Sequence, residues 1–273
     1  MPSTPDTVLV DTYDKLHACL KDVESIPTPA SVAVDLEGVD LGRHGRISIM
    51  QLHAQRSNTV WLIDVTTLGA RAFDEACSRG KTLRGLLEGL HIRKVSRFLV
   101  LATRELQAKF EIYIEPTQVF WDLRHDSDAL FSHYDIGLKN AYDLQILELV
   151  VRRSQGAKVK YLRGLGPTMQ HYRLASASWT RIKEKGDSLF APEKGGSYEV
   201  FEKRPLDPRL VQYCMHDVAF IFELETAMRG RLPRSINDWE AFIIRESAAR
   251  VALSQTVSFD GNGRHMALAS VKW

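Results

Sequence analysis

Three apolar runs of strand length follow one another between residues 31 and 68, and they constrain the fold more than any other feature of the chain. They read "SVAVDLEGV", "GRISIMQLHA" and "TVWLIDVTTL", and only the turn-forming stretches "GRHG" and "QRSN" separate them. Connections this short join neighbouring antiparallel strands, because parallel strands need a crossover of a dozen or more residues. The sequence therefore predicts an antiparallel meander of three strands.

The first of these strands carries two acids near its end, Asp35 and Glu37. Side chains alternate between the two faces along a strand, so residues two apart share a face. Two carboxylates this close repel each other unless a cation lies between them. The pair is therefore either a solvated strand end or half of a metal site.

A third acid lies in the most strongly predicted helix, "DPRLVQYCMHDVAFIFELETAMRGRL". This stretch has a proline near its start, apolar residues three and four apart, and basic residues at its end. Tyr213 and Asp217 are four residues apart and therefore share one helical face. Burying Asp217 in such a helix is costly without a cationic partner. The residue is either a hydrogen-bonded buried Asp or a second part of the metal site.

A fourth acid begins a helix predicted in "RHDSDALFSHY". Asp126 is the candidate there, and Asp122 and Asp128 compete with it because they lie so close in sequence. Hard divalent cations such as Mg²⁺ and Mn²⁺ prefer oxygen ligands, and two-metal phosphoryl chemistry needs several converging carboxylates. The four acids would meet that requirement if the fold brings them together.

The remaining elements are predicted helices and loops. We expect a short strand and a helix before residue 29, and a polar connector over residues 154–200. Helices are also predicted in "FDEACSRGKTLRGLLEGL", "NAYDLQILELVVRRS" and "DWEAFIIRESAARVALSQ".

Composition sets milder limits. With 273 residues, 44% of them hydrophobic, the chain can bury a sizeable core, and its formal net charge of +2 does not by itself indicate a nucleic-acid-binding protein. Its three cysteines are widely spaced and fit reduced thiols. The sequence shows no signal-like start and no apolar stretch of membrane-spanning length. We therefore expect an intracellular protein of the nucleus or cytoplasm, neither secreted nor membrane-bound.

Taken together, three of these patterns resemble a known family. "VDLEG" in the first meander strand, an Asp beginning the mid-chain helix and "YCMHD" in the late helix match the three exonuclease motifs of the DEDD superfamily. The Tyr four residues before the last Asp is similar to the DEDDy subgroup, which includes ribonuclease D and Werner-type exonuclease domains. The likeness is closest to the 3′-5′ exonuclease domain proteins of fungi. It implies an α/β, ribonuclease-H-like fold, in which the meander and additional parallel strands form a mixed sheet flanked by helices.

The resemblance also implies a site and a chemistry. Asp35, Glu37, Asp126 and Asp217 would hold two Mg²⁺ or Mn²⁺ ions, and Tyr213 would orient the attacking water. The enzyme would be a 3′-5′ exonuclease that hydrolyses terminal phosphodiesters at the 3′ ends of single-stranded nucleic acid, either RNA or DNA.

Further residues are candidates for contacts with such a substrate. Arg43, His44 and Arg46 follow the first motif and are candidate phosphate contacts, although exposed basic turns are often simple solvated loops. Phe120 and Trp121 are candidates for stacking on a base, although an apolar pair of this kind more often belongs to the core.

We expect three parts in the chain, namely an N-terminal strand and helix (residues 1–29), an exonuclease domain (30–230) and a C-terminal helix and tail (231–273). Residues 95–118 interrupt the family pattern, since their removal would join "HIRK" directly to "VFWDLRHDSDAL". The segment begins with Val-Ser-Arg and ends with Gln before Val, which is compatible with the borders of an in-frame retained intron. We therefore interpret it as either a retained intron or a genuine insertion.

Two other functions fit the same residues. A catalytically silent exonuclease-like module would bind nucleic acid or act as a scaffold; the insertion favours it, and the four intact acids oppose it. A metal-dependent phosphoesterase would hydrolyse small nucleotide esters and leave polymers intact.

Overall fold

The computed structural model describes residues 4–26, 31–89, 117–233 and 239–269. A six-stranded sheet forms its centre, in the order β1-β4-β3-β2-β5-β6. The strands span Asp6–Val10 (β1), Ser31–Val39 (β2), Arg46–Ala54 (β3), Thr59–Asp64 (β4), Thr117–Phe120 (β5) and Ala141–Asp143 (β6).

The predicted meander is confirmed. Strand β2 pairs with β3, and β3 pairs with β4, both in the antiparallel direction. The other strands extend this unit in parallel, β1 beside β4 on one side, and β5 beside β2 followed by β6 on the other. The result is the mixed sheet of the α/β fold that the resemblance implies.

Helices cover both faces of this sheet. They span Tyr13–Glu24 (α1), Val65–Leu68 (α2), Arg71–Asp74 (α3), Leu83–Leu87 (α4), Arg124–Tyr134 (α5), Leu144–Ser154 (α6), Leu165–His171 (α7), Ala177–Phe190 (α8), Pro208–Val218 (α9), Ile221–Arg229 (α10) and Trp239–Ser254 (α11).

The strands divide their side chains between two apolar cores, one on each face of the sheet. On β2, Val32, Val34 and Leu36 belong to the core that α1 and α5 cover. Ala33 belongs to the other core, together with residues of α6, α9 and α10. Since Asp35 and Glu37 are in phase with Ala33, they lie on the face that α9 covers.

Four predicted elements need correction. The helix expected from Asn140 begins only at Leu144, because Ala141–Asp143 pair with β5 as strand β6. The helix expected over residues 73–90 is two short helices, α3 and α4, because the chain turns at Gly80 with φ at +74°. Residues 154–200 are not an irregular connector, since they contain α7, α8 and 3₁₀ turns at Pro192–Lys194 and Tyr198–Phe201. The late helix is broken after Val218 into α9 and α10.

The interrupting segment, residues 95–118, lies outside the described residues except for its last two. Thr117 and Gln118 begin β5, where they pair with Ser31 and Val32 of β2. Gln118 is fully buried, and its Nε2 donates to the Leu86 carbonyl at 2.7 Å. The retained-intron interpretation stays a prediction.

The C-terminal helix α11 packs on β6 and α5. Ser247 Oγ accepts the backbone N–H of Asp143 at 2.9 Å, and Arg250 Nη1 donates to Asp143 Oδ2 at 2.6 Å. Beyond α11, Phe259 and Asp260 line the groove described below. Among the helices in the described ranges, none is both long and apolar enough to span a membrane.

Candidate active site

Three carboxylates from two elements converge on one side of the sheet. Asp35 and Glu37 come from β2 and Asp217 from α9, and each offers a ligand oxygen within 4.8 Å of the other two. A β-bulge directly after Glu37 interrupts the pairing with β3. There, Gly38 passes so close to its neighbour that a Cβ would lie 1.9 Å from the Arg46 carbonyl oxygen. A glycine is therefore required at position 38, at the bulge directly after Glu37.

Burial raises the proton affinity of all three carboxylates, and the charge of Asp217 adds to this effect at Asp35 and Glu37. Burial, followed by the charge of Asp217, raises the pKa of Asp35 to about 8. Burial, Asp35 and Asp217 raise the pKa of Glu37 well above its usual range. Burial also raises the pKa of Asp217, against the lowering effect of Lys183. A cluster with these properties is stabilised by an added cation.

The donor set fits a hard divalent cation. All the donors are carboxylate oxygens, which Mg²⁺ and Mn²⁺ prefer. Asp217 Oδ2 is buried and has no hydrogen-bond partner in the part of the chain that the structure describes. Buried polar atoms are normally satisfied, and a bound ion would satisfy this one.

A lysine that the sequence did not single out also contacts the cluster. Lys183 of α8 donates from Nζ to Asp217 Oδ1 at 2.5 Å. The same nitrogen lies 3.1 Å from the centroid of the Tyr213 ring. Sequence reasoning missed Lys183 because its helix falls in the stretch expected to be a polar connector.

Asp126 lies beside the cluster and outside its tight group of oxygens. It belongs to the first turn of α5, is only 4% exposed and lines the same groove as Asp35 and Asp217. Burial, followed by the charges of Asp35 and Asp122, raises its pKa well above the usual range.

The two acids that compete with Asp126 are each paired with an arginine. Arg124 Nε donates to Asp122 Oδ1 at 2.5 Å. The backbone N–H and Nε of Arg43 donate to Asp128 at 2.8 Å and 2.9 Å. Within the described ranges, Asp126 is the member of this trio with no arginine ion pair.

Tyr213 borders the cluster from the same helix as Asp217. Burial, followed by the nearby carboxylates of Asp217 and Glu37, raises the pKa of its phenol well above the usual value. The hydroxyl therefore keeps its proton at neutral pH. Phe190 packs edge-on against the ring with centroids 5.0 Å apart, which holds the ring in place.

An open groove of about 930 Å³ runs across these side chains. Trp121, Tyr198 and Phe259 add aromatic surface to its acidic lining. Of the two residues considered for base stacking, Trp121 lines the groove, whereas Phe120 is fully buried in the core. The groove therefore combines a carboxylate cluster with aromatic walls.

Most of the basic turn after the first motif is bound to the protein itself. Arg46 forms a two-pronged ion pair with Glu202, at 2.6 Å and 3.0 Å. Besides Asp128, the Arg43 guanidinium binds three carbonyls of the segment after α11, those of Ser254, Thr256 and Val257. Arg43 and His44 line the groove, whereas Arg46 does not, and the interpretation of these three residues as phosphate contacts stays a prediction.

A carboxylate cluster in a groove beside a mixed α/β sheet is the arrangement that metal-dependent phosphoryl-transfer enzymes use. The profile of the family described as 3′-5′ exonuclease matches residues 7–233. The chain belongs to the 3′-5′ exonuclease family, which confirms the exonuclease class that the sequence motifs indicate. No curated protein sequence matches the chain significantly.

Solved structures share the fold at low sequence identity. Trypanosoma brucei RNase D in its GMP complex has a TM-score of 0.68 and 21% identity, with 95% of this chain and 68% of that chain covered. The same protein in complex with RNA U12 has a TM-score of 0.68 and 19% identity, with 95% of this chain and 75% of that chain covered. Brucella melitensis NrnC with bound Mg²⁺ has a TM-score of 0.56 and 16% identity, with 95% of this chain and 100% of that chain covered. The ribonuclease-D-like fold is thereby confirmed, and the closer likeness to fungal proteins stays a prediction.

Proposed function

We propose that this chain is a metal-dependent exonuclease that removes nucleotides from the 3′ ends of single-stranded nucleic acid. The observation that carries the proposal is the convergence of Asp35, Glu37 and Asp217, whose ligand oxygens lie within 4.8 Å of one another in an open groove. The family match supports the reaction class.

The proposed metal ligands are the three clustered carboxylates and Asp126, which would together hold two Mg²⁺ or Mn²⁺ ions. Asp126 is the proposed ligand of the second ion because it is buried and has no arginine partner in the described ranges. It also lies close enough to Asp35 for the charge of Asp35 to raise the pKa of Asp126. When bound, divalent ions of this kind supply an activated water and stabilise the departing 3′ oxygen.

Tyr213 orients the attacking water in this proposal. Its hydroxyl is protonated at neutral pH and stands beside Asp217, so it can hold a water by a hydrogen bond at the edge of the groove. The packing of Phe190 against the ring keeps the hydroxyl in one position. The role of Tyr213 is therefore to aim the water rather than to take its proton.

The groove and the neighbouring structures support the substrate class. Trp121, Tyr198 and Phe259 offer faces on which the bases of a single strand can stack. One structural neighbour binds RNA U12 and another binds Mg²⁺. Single-stranded RNA is therefore the first substrate to test, with DNA of the same sequence as its comparison.

The test is digestion of a 5′-labelled strand by the purified chain in Mn²⁺ or in EDTA. We expect a ladder that shortens from the 3′ end in Mn²⁺ only, and a loss of at least about 100-fold in rate for Glu37→Gln. Glu184→Gln is the matched control, because Glu184 is an exposed acid on α8. Strand binding without digestion would instead support the silent module, and turnover of mononucleotide esters alone would support the phosphoesterase.

A further inference from the structure

The contact between Lys183 and the acidic cluster depends on the close packing of α8 against α9. Gly186 of α8 lies directly against Tyr213, where a Cβ would be 2.3 Å from Tyr213 Cδ2. Lys183 is three residues earlier and so occupies the same helical face. The glycine thus lets the helix approach until the lysine reaches the site.

The ammonium of Lys183 occupies the place of a cation at the cluster. It binds Asp217 Oδ1 at 2.5 Å and lies over the Tyr213 ring at 3.1 Å from the centroid. Its side chain is only 17% exposed, and that of Asp217 is 10% exposed. In the described part of the chain, no other lysine or arginine forms an ion pair with Asp35, Glu37 or Asp217.

We propose that Lys183 is a built-in counter-ion that holds Asp217 and Tyr213 in place without metal and competes with the divalent cation for Asp217. This inference rests on the proposed role of Asp217 as a metal ligand. Lys183 binds Asp217 Oδ1, and a divalent ion would bind the unpartnered Oδ2 of the same carboxylate. The two cations would then lie close together and repel each other. Metal binding therefore weakens the contact of Lys183 with Asp217 Oδ1.

A purely structural role for Lys183 makes different predictions. A lysine that only packs α8 on α9 would stabilise the protein equally with and without metal. A counter-ion stabilises the metal-free protein alone and weakens metal binding. The two roles are therefore separated by stability and metal affinity, without reference to catalytic rate.

The experiment compares Lys183→Met with the wild type in Mn²⁺ titration calorimetry and in thermal unfolding at one pH. We expect Lys183→Met to bind Mn²⁺ at least about tenfold more tightly, since it removes a charge that occupies a ligand and repels the ion. Its Tm should fall in EDTA and return to the wild-type value in saturating Mn²⁺. Lys183→Arg, which keeps the charge, should bind Mn²⁺ no more tightly than the wild type. Lys185→Met is the matched control, because Lys185 is an exposed lysine on the same helix.

Each outcome decides the inference. Equal Mn²⁺ affinity in the wild type and Lys183→Met, or an equal loss of Tm with and without Mn²⁺, would show that Lys183 is structural. If the wild type digests 3′ ends while either result holds, the proposed function stands and this inference alone is wrong. If neither protein binds Mn²⁺, both proposals fail. Should Lys183→Met not fold without metal, Lys183→Gln purified in Mn²⁺ and titrated with a chelator gives the same affinity comparison.

Discussion

Replacing Asp35 by Asn should stabilise the metal-free protein while removing its response to metal. Two unit charges 4.8 Å apart repel by about 3 kcal/mol at an effective dielectric constant near 20. Asp35 faces two such partners, and Lys183 and partial protonation offset part of the repulsion. We therefore expect the unfolding free energy of Asp35→Asn in EDTA at pH 8 to exceed that of the wild type by about 1–3 kcal/mol. For a chain of this size that corresponds to a rise in Tm of roughly 2–10 °C.

The pKa of Asp35 fixes the sign of the pH dependence. The folded protein raises this pKa to about 8, whereas an unfolded Asp has a pKa of about 4. Between these values the folded state holds a proton that the unfolded state releases, so stability falls as the pH rises. The wild type in EDTA should thus lose stability between about pH 4 and pH 8. Asp35→Asn, which lacks this group, should lose less.

Thermal unfolding followed by circular dichroism at pH 5 and pH 8 tests both statements. In Mn²⁺ the order should reverse, because a ligand that binds only the folded state raises its Tm, and Asp35→Asn binds the ion weakly. Glu184→Gln is the control for loss of an acid outside the cluster. If Asp35→Asn is less stable than the wild type in EDTA at pH 8, the reasoning from carboxylate repulsion is refuted.

Three further predictions concern the other residues of the site and the interrupting segment. Tyr213→Phe should lower kcat by about tenfold or more with little change in KM, since the hydroxyl positions water; a raised KM with unchanged kcat in steady-state digestion would make it a substrate contact. Asp126→Asn should reduce digestion without lowering Tm, whereas Asp128→Asn should lower stability by about 1–3 kcal/mol because it leaves Arg43 without its carboxylate; the opposite pattern in paired activity and unfolding assays would exchange their roles. A chain lacking residues 95–118 should be more soluble than the full chain in gel filtration and should bind Mn²⁺ in calorimetry. If this chain is insoluble while a chain lacking residues 95–116 folds, Thr117 and Gln118 of β5 are indispensable.

The sheet was predictable from sequence where the signals are local. Alternating apolar residues and short turns define β2, β3 and β4, and the i, i+2 spacing places Asp35 and Glu37 on one face. The break after Val218 was not predictable, because no proline or glycine marks it and the apolar spacing continues into α10. The pairing of β1 with β4 is likewise a contact between distant segments that no local pattern encodes.

In the site, too, the features with a local sequence signal were predictable, and those that depend on distant contacts were not. The motifs identify two pairs of site residues, Asp35 with Glu37 and Tyr213 with Asp217. Sequence position alone could not separate Asp126 from Asp122 and Asp128. Their difference comes from the arginines that bind the two competitors, and Arg43 reaches Asp128 from 85 residues away in sequence. Lys183 was invisible for a similar reason, since its role depends on the approach of α8 to α9 at Gly186.

In the function proposed above, Asp35, Glu37 and Asp217 hold a divalent ion. Anomalous diffraction at the manganese absorption edge from crystals soaked in MnCl₂ tests it most directly. We expect a strong peak within about 2.5 Å of oxygens from all three carboxylates, and a second peak beside Asp126. A map with no peak at the cluster, or with Lys183 still bound to Asp217 and manganese only on exposed acids, would contradict it.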